Sequence, residues 1–134
     1  MEIKLLTNNK SKKKIKSIIE KIDDNNKKYI KLWLDETNNV KSFILYENKT
    51  IKTFALLHKL DFDPLNKHEN PYILDFIYTF KQYRRNNLAY KLLLNMKDKN
   101  NITAFCNNNE SSMLFKKAGY VEYDIFPIPT FRYP

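Results

Sequence analysis

The chain has 134 residues, of which 43% are hydrophobic, 14% aromatic and 29% charged, a balance that builds one packed, wetted domain and excludes whole-chain disorder. A formal net charge of +9 calls for an acidic partner such as nucleic acid, an anionic membrane or a polyphosphate cofactor, although a solvated lysine surface accounts for the N-terminal lysines as well. One cysteine, Cys106, and two histidines, His58 and His68, exclude an internal disulfide and give no metal-ligand spacing, and no run approaches the roughly 20 apolar residues of a membrane span.

Residues 1–9 lack the apolar core of a signal peptide, so the expectation is a cytoplasmic, single-domain protein (residues 1–134) that uses neither metal nor membrane. Glu2 to Leu6 reads as a short strand. After Ser11 as a possible cap, Ile15, Ile18, Ile19 and Ile22 recur at helix spacing. Tyr29, Ile30, Trp33 and Leu34 carry a second helix, ended by the polar stretch Asp35 to Asn39. Val40 to Tyr46 and Ile51 to His58 are β-rich runs joined by a hairpin connection, and Asp61 to Asn70 is a polar loop.

Tyr72 to Phe80 is apolar and aromatic except at Asp75 and Thr79, too continuous for a strand with one wet face, and belongs in the middle of a sheet. Leu88, Ala89, Leu92, Leu93 and Met96 then mark a helix, Ile102 to Cys106 a strand, Met113, Leu114, Phe115 and Ala118 a helix, and Tyr120 to Phe126 a strand, with the proline-containing tail at an edge. This order gives an α/β (α+β) fold: a mixed central sheet of about six to seven strands flanked by about four helices, with parallel crossovers in the second half.

The junction after the central strand is a ready anion site, because unpaired N–H groups and the positive end of the next helix point to one spot. Its residues are Arg84, Arg85, Asn86, Asn87, Leu88 and Ala89. Glycine usually supplies the positive φ that converging amides need. The only glycine in the chain is Gly119, but Asn87 is the non-glycine type most tolerant of that conformation and Ala89 is small. Arg84, Asn87 and Ala89 occupy the fixed positions of motif A of the GNAT N-acetyltransferase superfamily, Arg/Gln-x-x-Gly-x-Gly/Ala, which this stretch resembles with asparagine in place of the first glycine.

A second stretch agrees. Asn108, Ser111, Leu114, Phe115, Lys117, Gly119 and Tyr120 fall at the spacing of the GNAT signature Asn-x-x-Ala-x-x-Leu-Tyr-x-Lys-x-Gly-Phe, and Gly119 stands just past a helical pattern, where a left-handed residue is needed. The resemblance implies acetyl-CoA or coenzyme A as cosubstrate. The backbone from Arg84 to Ala89 would hold the pyrophosphate and that of Ile77 to Thr79 the pantetheine arm, with Asn108, Ser111 and Phe115 on the other side. A backbone N–H near Thr79 would be the oxyanion donor. Phe115 stands where many relatives carry an acid tyrosine, so Tyr78 and Tyr123 are candidate replacements.

Asp75, an acid in an apolar strand, is the candidate base, with a structural partnership as the alternative. His58 and His68 read as structural or surface groups and Cys106 as buried filler. The resulting expectation is an amine acetyltransferase acting by direct transfer on an unidentified amine, as a monomer or homodimer. A catalytically weak acyl-CoA-binding module and a basic nucleic-acid-binding protein are the alternatives, the last the least favoured.

Overall fold

The computed structural model describes residues 1–124 and 127–134. The elements run β1 (Glu2–Thr7), α1 (Asn8–Ile18), α2 (Asp24–Leu34), β2 (Val40–Glu47), β3 (Thr50–Lys59), β4 (Tyr72–Thr79), α3 (Leu88–Asn95), β5 (Ile102–Phe105), α4 (Asn109–Lys117), β6 (Val121–Tyr123) and β7 (Thr130–Arg132). The seven strands form one sheet in the order β1-β2-β3-β4-β5-β7-β6. β4 is therefore central, as its apolar run requires.

Period-two alternation divides the core. Phe43, Leu45, Ala55 and Leu57 face α3 and α4, where Leu92, Leu93 and Phe115 cover them. Ile44, Phe54 and Leu56 face α1 and α2, where they meet Ile15, Ile30 and Trp33. With both faces covered, β2 and β3 read as continuous hydrophobic runs.

Several local expectations are corrected. Helix α1 begins at Asn8 rather than after Ser11, and the Ser11 hydroxyl is buried inside it, donating to Ser42 Oγ at 2.6 Å. Helix α2 starts earlier than its apolar residues suggest, because Asp23 caps it by accepting the Asn26 N–H at 3.1 Å. Met113, expected on the buried face of α4, is exposed. The last strand is shorter than expected: β6 covers Val121–Tyr123, while Ile125 and Phe126 lie outside the described residues.

The tail is not an edge. β7 is inserted between β5 and β6, and among the described residues the only parallel pairing is β4 with β5. Proline does not prevent this, because Pro129 precedes the strand and uses its carbonyl, which accepts the Cys106 N–H at 3.0 Å. Arg132 anchors the insertion while 1% exposed. It forms an ion pair with Asp63, donates to Thr103 Oγ1 at 2.7 Å and to the Asn100 carbonyl at 3.2 Å. Asp63 in turn accepts backbone N–H groups of Leu65, Lys67 and His68, which folds the loop between β3 and β4 onto the tail.

Candidate active site

Two parallel strands that stay paired leave no room between them. β4 and β5 pair only at Tyr72–Ile102 and Ile73–Thr103, while β4 continues to Thr79. Beyond Ile73 the side of β4 toward β5 is open, and its backbone donors and acceptors there face a cleft of about 350 Å³ bounded by Leu74, Asp75, Ile77, Cys106, Asn108 and Phe115. The apolar run of β4 is thus only partly packed: Ile77 is half-buried and Asp75 is open to solvent on one side.

A bulge fixes what β4 presents there. Leu56 pairs with Phe76 but Leu57 pairs with Leu74, so Asp75 is an extra residue opposite no partner, and such a residue re-aims its side chain. Where the ladder slips, the Leu57 carbonyl accepts the indole N–H of Trp33 at 2.9 Å, which pins α2 beside the bulge. Tyr29 of α2 stacks on Phe76 with ring centroids 5.9 Å apart and lines the same cleft.

At the far end of β4 the chain turns through Arg84 to Ala89. Arg85 (φ 70°) and Asn87 (φ 58°) both take the left-handed conformation. Asparagine tolerates it readily, but arginine does not, and nothing in the sequence singles Arg85 out. Both residues lie directly before the N-terminus of α3. The Arg84 Nε donates to the Thr79 carbonyl at 2.9 Å, clamping the turn to the end of β4, and Lys117 Nζ of α4 donates to Asn87 Oδ1 at 3.3 Å.

Asn108 caps α4, its Oδ1 accepting the Ser111 N–H at 2.8 Å and the Ser111 hydroxyl at 2.9 Å. The two sequence motifs therefore meet. Ile77, Thr79, Arg84, Arg85, Asn87, Leu88, Ala89, Asn108 and Ser111 all border one groove of about 770 Å³, and this groove shares Ile77, Asn108 and Ser111 with the β4–β5 cleft.

No protein-family model and no curated protein matches the sequence. Solved structures do resemble the fold. The chain is similar to a predicted acetyltransferase with acetyl-CoA from Clostridium acetobutylicum (20% identity, TM-score 0.56, 93% of this chain and 94% of that one). It is also similar to a ribosomal-protein-alanine N-acetyltransferase from Brucella melitensis (14%, 0.57, 87% and 90%), and to an aminoglycoside 6'-N-acetyltransferase from Acinetobacter haemolyticus (14%, 0.58, 94% and 94%). The fold is that of the GNAT acetyltransferases. Splayed central strands, a bulged β4 and a left-handed turn before α3 are thus held in a GNAT frame with little sequence in common.

Within that frame the residues expected from sequence do not all converge. Phe115 is buried, its ring stacked on Phe131 and meeting Tyr120 edge-on at 5.0 Å. The Tyr120 hydroxyl is buried without a hydrogen-bond partner among the described residues, and burial pushes its pKa far up. The Tyr78 ring packs among Phe54, Phe76 and Phe80. Tyr123 is absent from the lining of either cavity; its hydroxyl accepts from Lys67 Nζ at 3.3 Å. Cys106 borders the cleft, where burial pushes its thiol up to about 11 and keeps it protonated. Asn86 is exposed and borders neither cavity, its Nδ2 donating to the Tyr83 carbonyl at 3.1 Å.

His58, read from the sequence as structural or surface, is paired with Asp75, the structural partnership that the sequence left open for that acid. Its Nδ1 lies 2.6 Å from Asp75 Oδ2 and its Nε2 3.8 Å from Glu36 Oε2. Burial and the Glu36 charge push the Asp75 pKa above its ordinary value, and the His58 hydrogen bond and charge offset part of that rise. Because the imidazole uses opposite nitrogens, the three groups form a chain rather than a metal cage. Only the β3–β4 register, together with the bulge, brings position 58 to position 75.

Proposed function

We propose that this protein transfers the acetyl group of acetyl-CoA directly to a primary amine, of a peptide or a small molecule. The observation that carries the reading is the shared wall of the anion-binding turn and the open β4 edge, with Asp75 at the bulge of that edge. The groove fits the cosubstrate on its own chemistry: the N-terminus of α3, Arg84, Arg85 and Lys117 suit phosphates, and the unpaired backbone of β4 suits an arm carrying amides.

When bound, acetyl-CoA supplies an activated acyl group. Asp75 accepts the proton of the attacking amine: an N–H bond breaks, an O–H bond forms on the carboxylate, and a raised carboxyl pKa makes it a better acceptor. Backbone N–H near Thr79 stabilises negative charge on the acyl oxygen. A thiol with a pKa near 8.5 releases a tolerable thiolate at neutral pH, so departure does not require a tyrosine at position 115.

Incubation with acetyl-CoA and a panel of amines and peptides, followed by thiol release, tests this. CoA release with at least one amine is expected. Silence across a broad panel overturns it. Phe115 favours a second reading, an acyl-CoA-binding module without turnover, in which acetyl-CoA stabilises the fold but nothing is released and Asp75→Asn changes nothing.

A further inference from the structure

The Asp75 carboxylate borders the cleft, but its two polar neighbours do not. His58 and Glu36 therefore act on chemistry in the cleft only through Asp75. Their placement is built rather than incidental. Trp33 locks α2 to the carbonyl at the bulge, and Glu36 follows two residues after the end of that helix with its N–H on the Trp33 carbonyl at 3.1 Å. Its carboxylate accepts the Asn38 N–H at 3.3 Å, and its own carbonyl takes Lys12 Nζ at 2.7 Å. The Glu36 carboxylate is thereby aimed at Nε2 of His58. All three side chains are less than a third exposed, at 27%, 21% and 27% for Glu36, His58 and Asp75, so their interactions are only partly screened.

We infer that His58, oriented by Glu36, is a positioning residue that aims the Asp75 carboxylate into the β4–β5 cleft. This rests on the reading of Asp75 as the base. An aspartate alone at the bulge is free to rotate toward solvent. A 2.6 Å hydrogen bond from an imidazole held on its far side removes that freedom and leaves Oδ1 as the available acceptor.

The two supports act on Asp75 in opposite directions. The charges bearing on Asp75 are those of His58, which favours the ionised carboxylate, and Glu36, which disfavours it. Carboxyl carbon NMR of the free protein should therefore show the Asp75 titration moving to higher pH in His58→Leu and to lower pH in Glu36→Gln. The acid limb of kcat/KM should move the same way in each variant. At neutral pH His58→Leu should lower kcat by about 10–100-fold while leaving the KM for acetyl-CoA unchanged, and His58→Asn, whose amide can replace Nδ1–H, should restore part of it. An Asp75 titration that stays put in both variants, or moves the same way in both, overturns the inference. The NMR arm needs no turnover, so an inactive wild type counts against acetyl transfer alone.

Discussion

At Asp75 and Asn87 a single side chain decides what the backbone around it can do. Asp75 is the extra residue of a bulge, and its proposed role as a base is separable from binding. Asp75→Asn keeps shape and volume, so kcat should fall by about 10²–10⁴-fold with acetyl-CoA affinity unchanged, measured by steady-state kinetics and calorimetry. Asn87 carries the left-handed turn at φ 58°. Asn87→Gly should be near neutral in stability and in CoA affinity. Asn87→Val, β-branched where φ must be positive, should destabilise by about 1–3 kcal/mol and weaken CoA binding, read by denaturation and titration.

The elements depend on one buried pair. β7 lies inside the sheet with its buried Arg132 met by Asp63 from the β3–β4 loop. Burial pushes the Asp63 carboxyl up, but the Arg132 guanidinium and the N–H groups of Leu65, Lys67 and His68 outweigh it and hold it well below the usual range. A depressed folded value means that the stabilisation is complete above an unfolded pKa of about 3.9 and is lost as pH falls below it toward the folded value. Asp63→Asn should cost about 3–5 kcal/mol at neutral pH, because Arg132 is left charged and unpaired. Urea melts at pH 7 and pH 3 measure both effects: the wild type should lose more stability than the variant on acidification.

For the molecule as a whole, the groove and the cleft are formed by β4, α3, α4 and the strand beside them, so a ligand there bridges both motifs. CoA at about 100 times its Kd should add about 2.7 kcal/mol to stability, seen as a rise in Tm. The net charge of +9 supports a nucleic-acid reading only if oligonucleotide binding appears and weakens steeply with salt. The expected outcome is a Tm rise with CoA and none with an oligonucleotide of equal charge, checked by thermal shift at low salt.

Much of this was legible in the residues. Helix and strand periodicity, the central position of β4, and the left-handed turn at Asn87 follow from preferences that act over a few neighbouring residues, so a linear reading reaches them. Phe115 without its hydroxyl is likewise a matter of composition. The chain from Glu36 through His58 to Asp75 is not, since its members meet only by strand register, a one-residue slip and the anchoring of α2 by Trp33. The same holds for β7, whose place beside β5 depends on Arg132 finding Asp63, 69 residues away. The sequence by itself therefore determined the fold class and the left-handed turn before α3 through local conformational preference. Which groups surround the candidate base was decided by the tertiary structure, because long-range pairing depends on contacts that no local preference encodes.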